Sequence, residues 1–556
     1  MFKRIFPFLN WPRLTPQLAK TEAQAGLSVA WIIIPQGIAY ALLAGMPPIT
    51  GIYMALVPAL IAVMWGCSGT LATGPAALTS VLVGASVLGL ESGAAPQSEL
   101  WVQWVVWLAV LSGAIQLLLG ACKLGWFISL VSNPVMMGFT QGAAILIMAS
   151  QLPALLGSAS LKHLRSVADI NLWAMLFGGV ALACLLFNKR LSQWLRAFVP
   201  WDIPWVLVVI LAAALASHLL SYSQHGAVVG QLHLSLPKLM LPGAISWAQF
   251  QLLLLPALVI AMVSFLEVAS SAKVEHQRLG TRWNDNQDLI GQGLAKIGSS
   301  LLGAAPSSAS FSRSALSLYA GARTPWSAVF MVGFALLLLA LGQNALALVP
   351  KAVLAAVVIA AVSSLLKPTA WLALWRSNRA ESLIAALTFC ATIATAPDLY
   401  WGVLLGVVVG LGHFLYQRLH PRMVEVGLHA DGSLRDRILW LLPPLGQRVY
   451  AMRMDAALDF ASAASFERQV FDALAARPDV AHVCLFSQPI NWIDATGTQV
   501  LVNLHTQLHA KQITLHLSGL KLPLEQAFER SGALQAGDYL KRYRSEAETI
   551  AALRCL

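Results

Sequence analysis

The sequence predicts a polytopic α-helical membrane protein that ends in a small α/β domain. Two observations lead to this fold class. Of the 556 residues, 58% are hydrophobic and 11% are charged, whereas an ordinary soluble domain has about 25% charged residues. The apolar residues also form runs long enough to cross a bilayer, and these runs end near residue 420, where soluble composition begins.

Composition divides the chain into four regions. Residues 1–22 are charged and aromatic and lack a short apolar core with a cleavage site, so we expect a retained cytoplasmic lead-in. The transmembrane region covers residues 23–420, and a polar linker covers residues 421–436. Residues 437–556 alternate strand-like and helix-like stretches, which predicts a soluble α/β domain.

About fourteen apolar segments, separated by Gly, Pro or charged residues, make up the transmembrane region. If the N-terminus is cytoplasmic, fourteen crossings place most Lys and Arg residues of the connections on the cytoplasmic side, as the positive-inside rule requires. An even number of crossings also returns the C-terminal domain to the cytoplasm. We therefore expect a multi-pass protein of the inner cell membrane with both termini in the cytoplasm.

Two segments are short, rich in small residues and interrupted by proline. They begin at Thr70 and Ala305, and their prolines, Pro75 and Pro306, occupy similar places in the two halves of the region. We expect both segments to be half-helices. Interrupted segments at matching places indicate a transporter built from inverted repeats, with its binding site near the middle of the bilayer.

A few ionisable residues lie deep in apolar segments, where insertion costs about 2.5 to 3.5 kcal/mol for each, and two of them are the strongest functional candidates. They are Glu267 and Arg313, and Arg313 lies beside serines at the start of the second half-helix. Because a helix N-terminus offers free N–H groups and about half a positive charge, two facing half-helices suit a small anion. The expected anion-binding groups are Ala76 and Ala77 on one half-helix, and Ser310, Phe311, Ser312 and Arg313 on the other.

Gln36 and Tyr40 stand four residues apart in the first segment and share one helix face, so both can donate a hydrogen bond to the anion. Other interpretations are open for each candidate. Tyr40 can be an ordinary buried aromatic residue, and Gln36 can join two helices. Arg313 can form a structural ion pair with Glu267, and the serines can serve only in packing.

Three stretches of the sequence resemble a known family. They are LSVAWIIIPQGIAYALLAGMPPITGIYMALVPALIAVMWGCS, TLATGPAALTSVLV and DNQDLIGQGLAKIGSSLLGAAPSSASFSRSALSLYAGARTP. They resemble the sulfate permease (SulP) family, and SFSRSA is most similar to plant sulfate transporters. The resemblance implies seven plus seven inverted helices, a core domain that moves against a gate domain, and a homodimer. It supports the following roles: Gln36, Tyr40, Ala77, Ser310, Phe311, Ser312 and Arg313 around the anion, and Glu267 as the coupling carboxylate.

The C-terminal stretch WIDATGTQVL resembles the loop before a helix in STAS domains, which end most members of that family. Soluble relatives carry a phosphorylated hydroxyl in this loop. Asp494 and Thr496 are therefore candidate regulatory residues, and a cytoplasmic partner of the domain is possible. Either residue can instead simply cap the following helix.

These features predict a secondary active transporter that takes up sulfate with protons by alternating access. A divalent anion that enters against 100 mV costs about 4.6 kcal/mol, so uptake needs a coupled cation. Glu267 suits a proton. Two alternatives stay open: a carrier of the same fold for bicarbonate, coupled to sodium, or for a C4-dicarboxylate; and an anion channel or voltage-responsive membrane protein.

Several other functions are not expected. The net charge of +11 does not indicate nucleic-acid binding, because the basic residues fall between apolar runs rather than on one surface. The six cysteines lack the spacing of a metal or redox motif. No nucleophile, base and orienting group occur together. We therefore expect no enzymatic activity, no metal and no cofactor.

Overall fold

A computed structural model describes residues 6–90, 94–158, 171–187, 190, 205–230, 239–531, 537 and 539–554. The chain forms two compact units, Met1–Gly410 and Leu411–Leu556. The division falls inside the last helix of the transmembrane region, ten residues before the boundary that composition indicates.

Fifteen α-helices lie in the described residues before residue 420. They are α1 (Pro16–Leu43), α2 (Pro48–Trp65), α3 (Ala77–Gly89), α4 (Glu99–Ala121), α5 (Asn133–Leu156), α6 (Leu172–Leu186), α7 (Trp205–Leu219), α8 (Trp247–Leu279), α9 (Asp285–Leu301), α10 (Phe311–Tyr319), α11 (Trp326–Ala347), α12 (Lys351–Ser363), α13 (Pro368–Ser377), α14 (Arg379–Ala394) and α15 (Tyr400–Leu419).

Seven spans within the described residues are long and apolar enough to cross a membrane, when α12 and α13 are counted as one span. Four shorter apolar helices, α3, α6, α7 and α11, are found as well. Together with α9, α10 and α14 they give fourteen segments in this part of the chain. The predicted polytopic fold is therefore confirmed.

The two predicted half-helices are present. Strand β1 (Thr73–Gly74) pairs antiparallel with strand β2 (Ser308–Ala309), so that Thr73 lies opposite Ala309. Each strand leads into a short helix, α3 with 13 residues and α10 with 9. Both helices are shorter than the roughly 20 residues that a full crossing needs. The two interrupted segments therefore contact each other through the paired strands β1 and β2.

The helices pack in two groups. The most extensive contacts join α1, α2, α4, α8, α9 and α11 in one group, and α5, α6, α12 and α14 in the other. The half-helices α3 and α10 contact α1 and α8 of the first group. Each group combines helices from both halves of the sequence, as the core and gate domains of an inverted-repeat transporter do.

Small residues allow very close contacts within the first group. A Cβ atom on Gly51 of α2 would lie 1.9 Å from the carbonyl oxygen of Gly37 on α1. Gly113 of α4 and Gly293 of α9 approach in the same way, since a Cβ on either residue would lie 2.7 Å from the other residue's carbonyl oxygen. Such contacts are typical of membrane helices, which associate through packing rather than through the hydrophobic effect.

The second unit contains a six-stranded sheet in the order β4-β3-β5-β6-β7-β8. Strand β3 is antiparallel to β4 and β5, and β5 to β8 are parallel. The elements are β3 (Met423–Leu428), β4 (Leu434–Asp436), β5 (Val449–Met454), α16 (Ala463–Ala476), β6 (His482–Phe486), α17 (Ala495–Ala510), β7 (Thr514–Ser518), α18 (Leu522–Ser531), β8 (Leu540–Tyr543) and α19 (Glu546–Arg554). The α/β prediction is confirmed, and the stretch that composition indicates as a linker holds β3 and β4.

Two histidines lie side by side in this sheet. His516 of β7 is fully buried; its Nε2 lies 3.2 Å from Nδ1 of His482 on β6, and its Nδ1 lies 3.1 Å from the Tyr543 hydroxyl of β8. Burial, with the positive charge of His482 and Lys541 next in importance, lowers the pKa of His516 to about 4. The folded domain therefore excludes a proton that the unfolded chain binds below about pH 6.5.

We expect the C-terminal domain to lose about 2 kcal/mol of unfolding free energy as the pH falls from about 6.5 to about 4. The loss lies in this range because His516 is neutral when folded and protonated when unfolded. Thermal unfolding of residues 411–556 between these pH values measures it. His516→Phe should flatten this dependence, whereas replacement of the exposed His509 by Gln should leave it unchanged; equal pH profiles for all three proteins would contradict the assignment.

Candidate functional site

The N-termini of both half-helices border one cavity of about 450 Å³. Its polar side is built from the first group of helices, and its other side is mainly apolar and comes from α6, α7 and α12. The residues on this side are Gln36 and Tyr40 of α1, Ala76, Ala77 and Leu78 at the start of α3, Glu267 of α8, and Ser310, Phe311 and Ser312 at the start of α10. Nearly every site residue that the sequence predicts thus faces the same space.

The two helix N-termini carry no side-chain caps. Ala76 precedes α3 and Ser310 precedes α10, and neither side chain accepts a hydrogen bond from the first turn. The hydroxyl of Ser310 instead lies 3.2 Å from that of Ser312. Since the first N–H groups of a helix have no partner within the helix, both termini can donate hydrogen bonds to an anion in the cavity.

Arg313 lies behind the cavity lining and is 1% exposed. Its Nη1 donates to Oε1 of Gln36 at 3.1 Å, and its Nη2 donates to the carbonyl oxygen of Pro75 at 2.7 Å. The guanidinium group therefore holds one lining side chain and the chain just before α3. It supplies positive charge to both half-helices from outside the cavity.

Glu267 is partly exposed in the cavity. Its Oε2 accepts a hydrogen bond from Ser308 Oγ at 2.9 Å and a longer one from Thr79 Oγ1 at 3.4 Å. Because Thr79 belongs to α3 and Ser308 to β2, one carboxylate oxygen contacts both half-helix segments. Within the described residues, ion pairs closer than 4.0 Å lie in the C-terminal domain, so the alternative of a close Glu267–Arg313 pair is not observed.

Sequence reasoning missed four residues at or near the cavity. Thr79 and Ser308 bind Glu267, Lys367 lines the cavity next to α13, and Lys296 of α9 is fully buried. A signal was available for Lys296, because it stands alone among small and apolar residues in GQGLAKIGSSLL. The other three required knowledge of which helices contact each other.

The predicted regulatory loop of the C-terminal domain begins α17. Asp494 caps this helix: its Oδ1 accepts from the N–H of Gly497 at 2.8 Å, and its Oδ2 accepts from the N–H of Phe460 at 2.9 Å. Thr496 is exposed in the first turn. Asp494 therefore caps the helix in the structure, while regulation through Thr496 stays a prediction.

The membrane-spanning unit places two half-helix N-termini at one cavity, an arrangement typical of transport proteins built from inverted repeats. The chain belongs to the sulfate permease family, whose profile matches residues 20–388. A STAS domain profile matches residues 446–548. The protein is therefore a polytopic anion transporter and not an enzyme.

Comparison with individual proteins agrees with this assignment. The chain is 28% identical to probable sulfate transporter 4.2 of Arabidopsis thaliana, over 96% of this chain and 81% of that protein. The inward-facing structure of the murine anion transporter Slc26a9 matches 99% of this chain and 94% of its own, with a TM-score of 0.85 and 18% identity. The transmembrane domain of the cyanobacterial bicarbonate transporter BicA matches 72% of this chain and 100% of its own, with a TM-score of 0.61 and 21% identity. The two structures support the fold.

Proposed function

We propose that the protein takes up sulfate together with protons across the inner membrane by alternating access. The observation that carries this proposal is the single cavity in which two uncapped helix N-termini and the Glu267 carboxyl group face the same space. The sulfate transporters among its relatives support the choice of anion. We extend the proposal to a homodimer with cytoplasmic termini, in which the STAS domain binds a cytoplasmic partner through the Thr496 loop.

The anion is expected to replace its water shell with donors from both half-helices. Backbone N–H groups of Ala77 and Leu78 approach from α3, and those of Phe311 and Ser312 approach from α10. The Tyr40 hydroxyl and the Gln36 amide group complete the shell. Gln36 is held by Arg313 through its Oε1, which leaves its Nε2 to donate to the anion.

Glu267 supplies the coupling. Protonation removes its negative charge from the cavity and thereby lowers the repulsion that an entering dianion meets. One proton also removes about half of the electrical cost of moving sulfate against an interior-negative potential. Since Glu267 contacts both half-helix segments, the carboxyl group is well placed to make anion binding and proton binding depend on each other.

The two-sided cavity supports alternating access. Its polar side belongs to the group of α1, α3, α8 and α10, while its opposite side is formed by α6, α7 and α12. The apolar side chains of α6, α7 and α12 cannot form hydrogen bonds to the polar side of the cavity. The helices of the polar side can therefore move past them together with the anion.

The proposal is tested by uptake of labelled sulfate into proteoliposomes. An inward proton gradient should drive sulfate accumulation, which should rise about tenfold for each pH unit if one proton is coupled. Unlabelled bicarbonate, fumarate and chloride, each with and without sodium, are added as competitors. Uptake that ignores the proton gradient would contradict proton coupling; stronger competition by bicarbonate or fumarate than by sulfate would contradict the cargo; and uptake that does not saturate would indicate a channel.

A further inference from the structure

A second buried cation lies behind the cavity. Lys296 of α9 is fully buried, and its Nζ donates a hydrogen bond to Oε1 of Gln116 on α4 at 2.9 Å. The Gln116 amide group then donates to Ser264 Oγ at 2.9 Å and to the carbonyl oxygen of Ala261 at 2.7 Å, both on α8. The lysine therefore joins three helices of the group that carries the half-helices.

This network reaches the coupling carboxylate. The hydroxyl of Ser308 lies 3.2 Å from the carbonyl oxygen of Ser264 and 2.9 Å from Glu267 Oε2. Lys296 and Glu267 also interact electrostatically. Lys296 is thus placed to act electrostatically on the same carboxylate as Arg313.

The close packing of α4 against α9 helps to bury Lys296, which has no exposed surface. A Cβ atom on Gly113 would lie 3.0 Å from the Cβ of Lys296, so the side chain is enclosed at its base. Within the described residues, the ammonium group of Lys296 has one hydrogen-bond acceptor, which is the neutral amide oxygen of Gln116. A buried ammonium group with so little compensation requires a negative charge nearby if it is to stay protonated.

Three other carboxylates of this group are buried and have different partners. Glu22 of α1 accepts from the N–H of Arg323 at 3.0 Å. Glu275 stands eight residues beyond Glu267 on α8, which is about 12 Å along the helix, and accepts from the N–H of Thr70. Asp288 stands eight residues before Lys296 on α9, again about 12 Å away, and accepts from the N–H groups of Cys67 and Ser68. Glu267 is therefore the carboxylate that faces both buried cations.

We propose that Lys296 determines the preference of the site for divalent over monovalent anions. This inference rests on the proposed function and adds the charge of the cargo to it. The positive charges of Arg313 and Lys296 together balance a dianion when Glu267 is protonated, so the loaded site is neutral. Without Lys296 the same loaded site has one uncompensated negative charge, whereas a monovalent anion is balanced by Arg313 alone.

The test is the ratio of divalent to monovalent anion transport. Lys296→Gln should lower the ratio of sulfate to nitrate uptake in proteoliposomes, at equal proton gradient, by about tenfold; this is the effect of one unit charge about 10 Å away at an effective dielectric constant near 20. Lys296→Arg keeps the charge and should keep the ratio within about twofold. Lys351→Gln, which neutralises an exposed lysine at the start of α12, serves as the matched control and should leave the ratio unchanged.

A ratio of two anions on the same protein is insensitive to the amount of folded transporter, so a merely structural role of Lys296 would lower both rates and leave the ratio intact. An unchanged ratio in Lys296→Gln, or a tenfold fall in Lys296→Arg, would overturn the inference. If the wild-type protein transports no sulfate, the proposed cargo is wrong. The role of Lys296 is then tested with the ratio of uptake of the dianion fumarate to uptake of nitrate. Lys296→Gln must lower this ratio by the same factor of about ten.

Discussion

Glu267→Gln is expected to abolish proton-driven accumulation of sulfate while sulfate exchange across the membrane continues. The substitution keeps an oxygen that can accept from Ser308 and Thr79, so the contacts to both half-helix segments are preserved. It removes the group that gains and loses a proton. Since one coupled proton contributes about a tenfold concentration ratio per pH unit, the variant should show none of this dependence.

The measurement compares net uptake under an imposed proton gradient with exchange of labelled against unlabelled sulfate at equal pH. Glu275→Gln is the matched control, because it removes a buried carboxylate two helical turns away on α8 that does not line the cavity. This control should retain gradient-driven uptake. Gradient-driven uptake in Glu267→Gln that equals the wild-type value would assign proton coupling to another group.

The fold could be predicted well because the membrane restricts the possible structures. A bilayer forces hydrophobic runs into helices, and a segment that is too short and holds proline must be a half-helix supported by other parts of the protein. Pro75 and Pro306 therefore marked β1, β2 and the starts of α3 and α10 correctly. Residues 421–436 were harder, because β3 and β4 form a hairpin of two short strands around the polar connection HADGS (residues 429–433), which resembles a linker in composition.

The candidate site was predicted where the signal is local and missed where it is not. Gln36 and Tyr40 share a helix face, and Arg313 stands beside a helix start, so their positions follow from spacing alone. Lys296 is joined to the site by hydrogen bonds through Gln116 and Ser264. Gln116 is 180 residues from Lys296 in the sequence, and Ser264 is 148 residues from Gln116. No periodicity within one helix reveals such contacts between helices.

The position of Arg313 also changes how the site is understood. A guanidinium group in the lining would bind the anion directly and would need to lose its water shell each time an anion binds. Behind the lining it donates to two protein acceptors, Gln36 and the carbonyl group of Pro75, and neither bond has to break for an anion to enter the cavity. Such a preorganised charge stabilises the bound anion without a rearrangement of its own.

Arg313→Met is expected to weaken sulfate binding by at least about a hundredfold. A unit charge about 8 Å from a dianion, at an effective dielectric constant near 20, contributes on the order of 4 kcal/mol, and part of this is recovered by relaxation. Arg313→Lys keeps the charge but cannot donate to Gln36 and Pro75 in the same fork geometry, so we expect a smaller loss of about tenfold. Binding of labelled sulfate to the purified protein measures both constants.

Arg278→Met provides the control for this prediction, because Arg278 donates to the carbonyl oxygen of Leu318 near the opposite end of α10. It should disturb the anchoring of that helix without removing charge from its N-terminus, and sulfate affinity should stay within about threefold of wild type, since the charge effect falls with distance and screening. Equal losses of affinity in Arg278→Met and Arg313→Met would mean that the anchoring of α10, rather than the charge behind the cavity, controls anion binding. A loss confined to Arg313, and smaller in Arg313→Lys than in Arg313→Met, is the outcome that a fixed positive charge requires.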